Sequence, residues 1–571
     1  YMSELFNFRI KIIQLLILCV GLVFGAKLFW LQIMNNEVYL AEADRQYITP
    51  ENRQFDRGSI FFKKKNGELV SAASLFRGFT IAINPELVVN PEETFQQLSN
   101  IFELDHDRFL AQATKKNSRY QEIITQVSDE KASQVRMLKL PEVSVYRINS
   151  RFSPSGDLAP HVVGFVSFKE NELIGRYGIE RSYDEILSRK QSQLYVNFFA
   201  EIFAYITRSD SDGLSVEGDI VTTIEPSVQI SLQNELEIIR NRWKSDRTMG
   251  IVVDPKSGEI IAMASTPGFD INNYRTEPSV AIFNNPLIEN VFEMGSIMKP
   301  IITAIALDQK VITANTQYYD TGFVQVKNRT IKNFDKRRRG AGVTMQRVLD
   351  ESLNTGMVFM MQRMKPVEFV DQFNKFGFGE KTNIDLPAET SGLVGNLQTR
   401  QEVALANISF GQGIAVTPIG MARAMSALAN GGKIMEPYVV SSVEYLDGSK
   451  QLIKPKEIRT VITQETSEEI TRMLVHVFDH YANGTKKLDQ YSIAGKTGTA
   501  QIANRATGGY YTDRNLHTFV GYFPAYNPKF LVFLLNEYPK EGVQFSSQTL
   551  LDPFLNLAKF LINYYNIPPD R

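Results

Sequence analysis

Gly250-Ile-Val-Val-Asp254-Pro-Lys-Ser-Gly258-Glu-Ile-Ile-Ala-Met263 is two apolar runs around an Asp-Pro-x-x-Gly turn, which reads as a β-hairpin. Three more strand-like runs lie far downstream, at residues 492–502, 517–523 and 530–537, with Pro524 and Pro528 marking the turn between the last two. Residues 550–565 close the chain as an apolar-faced helix. The stretch between, about residues 290 to 435, reads as mostly helical. Strands from both ends of this region can therefore meet in one antiparallel sheet with helices packed around it, an α+β fold. The region begins near Val221-Thr222-Thr223-Ile224, where Pro226 opens an amphipathic helix running to about Trp243.

Upstream, residues 50–225 show short strand-like runs broken by turn signals. Arg57-Gly58-Ser59-Ile60-Phe61-Phe62, Asn66-Gly67 and Glu68-Leu69-Val70 predict a hairpin whose Asn-Gly turn favours type I′ geometry. Pro91 to about Lys139 reads as mostly helical, and nothing here gathers catalytic residue types. Further back, Ile12 to Ala26 holds no formal charge, and apolar character resumes after Lys27 through Trp30 to Met34. If Lys27 snorkels, that stretch spans about 34 Å at 1.5 Å per residue, enough to cross a membrane. Phe24 does not suit a cleavage site before Ala26. Arg9 and Lys11 precede the span and Glu37, Glu42 and Asp44 follow it, so the short N-terminus is expected in the cytoplasm and the rest outside. The expected organisation is a cytoplasmic N-terminus (1–11), a transmembrane helix (12–34), a noncatalytic pedestal (35–224) and a catalytic domain (225–571).

The 571 residues are 43% hydrophobic and 22% charged, a globular composition with room for two to four domains. With 62 basic against 63 acidic side chains the chain lacks the positive balance that phosphate backbones attract, which argues against nucleic acid as a partner. Lys336-Arg337-Arg338-Arg339 is the local exception and reads as a solvated loop, with an anionic lipid or glycan phosphate as the alternative. Cys19 is the only cysteine, so an intrachain disulfide, a Cys-based zinc site and a CxxC redox site are excluded. Gly495-Lys496-Thr497 lacks the upstream glycine of a phosphate loop, and His476 and His480 lack the glutamate of a zinc protease. No metal or cofactor is expected, and none of the five histidines sits beside a nucleophile motif.

A histidine-free mechanism needs a lysine for proton transfer, which directs attention to Ser-x-x-Lys. The pattern occurs at Ser128–Lys131 and at Ser296–Lys299. The first is surrounded by charge and reads as a solvated helix start. The second follows Gly295 and leads through Pro300 into an apolar run. A serine at that helix start is favoured as an oxyanion, and a lysine three residues on returns to the same face. Burial would lower the lysine's pKa and let it take the serine proton, while Pro300 requires a tight or distorted first turn. Two more patterns follow in order: Ser352-Leu353-Asn354, the sole Ser-x-Asn, and Lys496-Thr497-Gly498, the sole Lys-Thr-Gly. Ser352 can relay a proton and Asn354 can hold a substrate amide. The Lys496 strand offers a cation and hydroxyls to a carboxylate, with Gly498 admitting the substrate to the backbone. The N–H groups of Ser296 and Thr499 could form an oxyanion hole.

This set, in this order, resembles that of the penicillin-binding proteins and class A β-lactamases. The whole chain is most similar to a class B penicillin-binding protein. Supporting stretches are Arg57-Gly58-Ser59-Ile60, Arg151-Phe152-Ser153-Pro154, Gly178-Ile179-Glu180-Arg181-Ser182-Tyr183, Phe292-Glu293-Met294-Gly295-Ser296, Gly411-Gln412-Gly413 and Thr417-Pro418. The resemblance implies a single-pass membrane enzyme with a pedestal and a transpeptidase domain of the penicillin-binding/β-lactamase-like type. It implies that Ser296 attacks the penultimate D-Ala carbonyl of a peptidoglycan stem peptide, with Lys299 as base. Ser352, Asn354 and Lys496 would position and relay, and Thr497 and Thr499 would face the substrate carboxylate. Implied partners are stem peptides and their lipid-linked precursor, β-lactam antibiotics, a polytopic membrane glycan polymerase and other division proteins. Phe62-Lys63-Lys64-Lys65-Asn66-Gly67 departs from the family's Asp-bearing turn. Residues 566–570, with no appended repeat domain, resemble the septal branch more than the elongation branch. A D,D-carboxypeptidase or β-lactamase-like hydrolase and a noncatalytic division scaffold are the competing readings.

Overall fold

The computed structural model describes residues 56–169, 172–189, 217–504 and 508–571. The expected span at 12–34 lies outside them, and among the described residues no helix is long and apolar enough to cross a membrane. The chain divides into two compact units. Among described residues one holds Asp56 and Phe76–Ser150, and the other holds Arg57–Leu75 and Arg151–Arg571.

Strands β1 (Ile60–Lys63) and β2 (Leu69–Ile83) form the expected antiparallel hairpin. Its turn differs from expectation. Type I′ needs two central residues with positive φ, and here only Gly67 has one, at 86°. Gly67 N–H donates to Lys64 O and Lys64 N–H to Glu68 O, the pattern of a type I turn closed by a glycine bulge.

The first unit contains helices α1 (Pro91–Ser99), α2 (His106–Ala113) and α3 (Asp129–Met137), with strand β3 (Gln121–Val127) and the Val143–Ser150 part of β4 (Val143–Phe152). The expected helical run is thus interrupted by β3, whose Ile124 pairs with Ile81 of β2. Phe79, Ile81, Leu98, Phe109, Val127 and Val135 close this unit's core. Ser128 caps α3, its side chain accepting from Lys131 N–H.

In the second unit β5 (Gly218–Thr222) runs parallel to β1. Arg57, Arg151 and Glu180, drawn from three of the quoted motifs, meet in one buried cluster. Arg57 Nε and Arg151 Nε each lie 2.6 Å from a different oxygen of Glu180. Burial alone would raise the Glu180 carboxyl, but the two guanidinium groups outweigh it and hold it below its ordinary value.

Helix α4 (Pro226–Trp243) precedes the hairpin β6 (Arg247–Val253) and β7 (Ile260–Thr266). A short 3₁₀ turn, Gly295–Met298, leads into α5 (Lys299–Asp308). The region expected to be mostly helical then carries four short strands, β8 (Gln317–Asp320), β9 (Phe323–Val326), β10 (Arg329–Lys332) and β11 (Gly340–Thr344). Helices α6 (Met345–Asp350), α7 (Asn354–Gln362) and α8 (Pro418–Ala429) follow, the last buried along its whole length. Next come β12 (Val440–Tyr445), paired with β5, and helix α9 (Gln464–Asp479). Strands β13 (Ala494–Ala503), β14 (Tyr510–Phe523) and β15 (Phe530–Glu537) and helix α10 (Ser546–Tyr564) complete the chain.

The late strands join the early hairpin in the order β13-β14-β15-β6-β7, all antiparallel. Because side chains alternate across a strand, Phe519, Leu534 and Val252 bury against α4 and α10 on one face. Val520, Phe533 and Ile251 join the core that contains α5 and α8 on the other. The outer edge of β13 is left to line the nucleophile turn.

Candidate active site

Gly295, with φ of 59°, is held between two other backbones. Its N–H donates to Gly411 O at 3.1 Å. A Cβ on Gly411 would lie 2.0 Å from Gly295 O, and one on Gly295 would lie 2.8 Å from Thr499 O. Only glycine permits this approach, which explains Gly411 of the Gly-Gln-Gly stretch. The 3₁₀ turn buries Ile297 and Met298 and leaves Ser296 half-buried, so the tight turn that Pro300 demands is present.

Lys299 is fully buried. Its ammonium donates to Ser352 O at 2.6 Å, Ser352 Oγ at 3.1 Å and Asn354 Oδ1 at 2.8 Å. These are three acceptors for three protons. No hydrogen bond joins it to Ser296 Oγ; the structure brings Lys299 first to the Ser-x-Asn motif. Burial, and then the neighbouring charge of Lys496, push Lys299 well below an ordinary lysine. Ser352 reaches the ammonium through both its carbonyl and its hydroxyl because its φ is 54°, a left-handed conformation that costs a non-glycine residue about 1–2 kcal/mol. Asn354 begins α7, and its Nδ2 donates to Lys332 O at 3.0 Å. The amide expected to hold substrate is thus already fastened at both ends, with one N–H and one lone pair left over.

Lys496 is buried on β13, and burial lowers it to about 8 while Asp350 opposes the fall. Gly498 shares its face. A Cβ there would meet Thr518 Oγ1 at 2.3 Å and Met294 O at 2.9 Å, so this glycine makes room for the nucleophile turn rather than for substrate backbone. Thr497 and Thr499 are half-buried on the opposite face. Thr497 N–H donates to Tyr481 Oη at 2.9 Å, and Thr499 Oγ1 accepts from Ser546 N–H at 3.3 Å. Thr499 turns its carbonyl toward Gly295, and a residue's N–H and C=O leave a strand on the same edge. Its N–H therefore also leaves the sheet on the edge that faces the nucleophile turn.

A supporting set escaped the sequence. Asp320 Oδ1, fully buried, accepts from Thr355 Oγ1 at 2.7 Å and from Asn333 Nδ2 at 3.1 Å. Asn333 Oδ1 in turn accepts from Thr355 N–H at 3.2 Å. This network fixes the start of α7, and with it Asn354, against the strand end whose Lys332 carbonyl Asn354 meets. Glu293 accepts from Tyr510 Oη at 3.0 Å and from Gly413 N–H at 3.1 Å, and burial raises its carboxyl. Asp350 accepts from His476 at 3.0 Å, and His476 stacks on His480. Arg339 of the basic run is engaged by Asp335 and Glu351, at 2.7 Å each. A residue such as Asp320 or Asn333 carries no motif; only the fold brings it to Thr355.

A half-buried serine, a buried lysine and a lysine-bearing edge strand on a helix-flanked antiparallel sheet define a serine acyl-transfer fold. Comparison with known families places it further: residues 248–556 match the penicillin binding protein transpeptidase domain, and residues 56–212 the penicillin-binding protein dimerisation domain. The chain belongs to the class B penicillin-binding proteins. Stage V sporulation protein D of Bacillus subtilis is 30% identical over 551 residues, covering 94% of this chain and 82% of that protein. Peptidoglycan D,D-transpeptidase FtsI of Escherichia coli K12 is 26% identical over 551 residues, covering 95% and 89%. In fold, penicillin-binding protein 3 of Mycobacterium tuberculosis complexed with aztreonam aligns with a TM-score of 0.68 at 23% identity, covering 91% of this chain and 98% of that one.

Proposed function

We propose that this chain is a peptidoglycan D,D-transpeptidase that cross-links stem peptides through an acyl-enzyme on Ser296. The observation that carries the reading is the buried Lys299 ammonium, held by Ser352 and Asn354 beside the Lys496 strand. A desolvated lysine with a depressed pKa can become the neutral base that a serine nucleophile needs.

In the proposed sequence Lys299 takes the Ser296 proton as Oγ bonds to the penultimate D-Ala carbonyl. The oxyanion is held by the N–H groups of Ser296 and Thr499. The proton passes by way of Ser352 Oγ to the departing D-Ala nitrogen. Lys496, Thr497 and Thr499 attract the terminal carboxylate. An amine from a neighbouring stem then attacks the ester, and its proton returns by the same path to Ser296 Oγ.

Residues 225–571 hold all of these groups, and 35–224 would be the noncatalytic pedestal. Residues 12–34 would anchor the protein in the cytoplasmic membrane with its bulk outside, 1–11 remaining in the cytoplasm. A septal rather than an elongation role is proposed from the resemblance of residues 566–570 to the septal branch. The lipid-linked precursor, a membrane glycan polymerase and other division proteins are the proposed partners, and β-lactams the proposed inhibitors. The test is a donor ending in acyl-D-Ala-D-Ala offered together with a D-amino acid. Transfer product exceeding free acid supports the reading; free acid alone makes the protein a hydrolase, and no turnover makes it a scaffold.

A further inference from the structure

The Thr499 hydroxyl is tied to a hydrogen-bonded chain that runs into the interior. Its Oγ1 accepts from Ser546 N–H at 3.3 Å. Ser546 O accepts from Thr549 Oγ1 at 3.3 Å, and Thr549 Oγ1 lies 3.0 Å from His517 Nδ1. His517 stands directly opposite Thr499 across the β13–β14 ladder, on the same face of the sheet.

The directions of the two bonds to the Ser546 backbone are fixed by chemistry. A backbone N–H can only donate and a carbonyl only accept, so Thr549 gives its proton to Ser546 O. With its proton engaged there, Thr549 Oγ1 accepts from His517 in the tautomer that carries hydrogen on Nδ1. At the other end Thr499 Oγ1 has spent a lone pair on Ser546, which leaves its own proton available. A hydroxyl so arranged can donate, and donation is what a carboxylate requires.

His517 is an expensive way to fill its position. It is fully buried, its Nε2 has no partner, and Asn536 opposite it on β15 is fully buried with neither end of its amide partnered. Each such atom costs about 1–3 kcal/mol, so packing alone would favour an apolar side chain. Burial lowers His517 to about 4, so the ring stays neutral.

We infer that His517 is a positioning residue for anion recognition: through Thr549 and the first turn of α10 it holds the Thr499 hydroxyl as a donor to the substrate carboxylate. This rests on the transpeptidase reading and adds a determinant of selectivity that the three motifs do not contain.

The test compares Ser296 acylation by benzylpenicillin, which bears a carboxylate, with acylation by its methyl ester, which does not. Loss of a hydrogen bond to a charged group is worth about tenfold. His517→Leu should lower the preference for acid over ester by about tenfold, through weaker binding and with the limiting acylation rate within twofold of the parent. Its Tm should equal or exceed the parent value. Thr549→Val breaks the same chain from the helix side and should show the same split. His517→Asn, which can return an N–H near the Nδ1 position, should restore the preference. An unchanged preference in both His517→Leu and Thr549→Val, or a loss confined to limiting rate and Tm, would overturn the inference while the parent still acylates. A parent that forms no Ser296 adduct would overturn both this and the transpeptidase reading.

Discussion

The chain contains Ser-x-x-Lys twice, and the two copies have become different things. Ser128 is exposed at the start of α3, and its side chain accepts from the backbone N–H of Lys131 at 3.5 Å. Lys131 extends over the Phe102 ring, 5.4 Å from its centroid, and stays exposed. There the serine is a helix cap and the lysine a solvated surface charge. At the second copy Ser296 caps nothing, and the lysine is buried against Ser352 and Asn354. Spacing brings the two side chains to one face in both places. Desolvation and the partners supplied by a distant helix suit only the second lysine to the proposed role of base.

The sharpest way to break this contrast is to exchange each lysine for arginine. Lys299→Arg should lower acylation by at least about a thousandfold, since guanidinium does not deprotonate and cannot act as the base. Lys131→Arg should leave it unchanged. Acylation by the Lys299→Arg protein at the parent rate would exclude Lys299 as base and erase the distinction.

Asn354→Ala tests the partner side. It removes one of the three Lys299 acceptors without opening the core, and acylation should fall about 10- to 100-fold with cooperative unfolding retained. Stopped-flow acylation alongside thermal melting separates the two effects.

The pH profile follows from the signs of the two shifts. In the proposed mechanism Lys299 acts when neutral, so the rate should rise with pH as it loses its proton, at a value well below that of free lysine. Lys496 acts there when charged, so carboxylate binding should weaken as pH passes its value of about 8. The acylation profile should be bell-shaped, with a descending limb near 8 that disappears in Lys496→Arg. A profile flat above pH 8 in the parent would remove Lys496 from the charge-recognition role.

The smallest effects are on stability, and they run opposite to activity. Ser128→Ala loses a helix cap and should cost about 1 kcal/mol with acylation untouched. Ser296→Ala should abolish acylation with little change in melting. At Ser352 both Gly and Ala remove the hydroxyl, but only Ala keeps a Cβ at positive φ, so the glycine variant should be the more stable by about 1 kcal/mol. Equal stabilities would show that the left-handed turn carries no strain.

What was legible in the sequence was what local chemistry decides. The Asp254–Gly258 turn, the Pro226 helix start and the three lysine and serine motifs depend on neighbours within a few residues. Less legible was anything set by approach over a long separation. Gln121–Val127 pairs with β2, although the surrounding sequence reads as helix. Asn66-Gly67 suggested one turn type, and the hydrogen bonds among Lys64, Gly67 and Glu68 form another. Gly498 looked like an opening for substrate, yet the space it leaves is filled by Met294 and Thr518. Asp320, Asn333 and His517 carry no pattern at all, because their partners come from other elements.

The most direct measurement is the mass and location of a covalent adduct. A β-lactam carries a strained amide and a carboxylate placed much as in acyl-D-Ala-D-Ala, and its opened ring leaves no group to depart, so the ester should persist. After incubation with benzylpenicillin, the purified protein should gain the mass of one drug molecule, and peptide mapping should find it on Ser296 and never on Ser128. Label on Ser128, or none on a folded protein whose Ser296 is intact, would contradict the account.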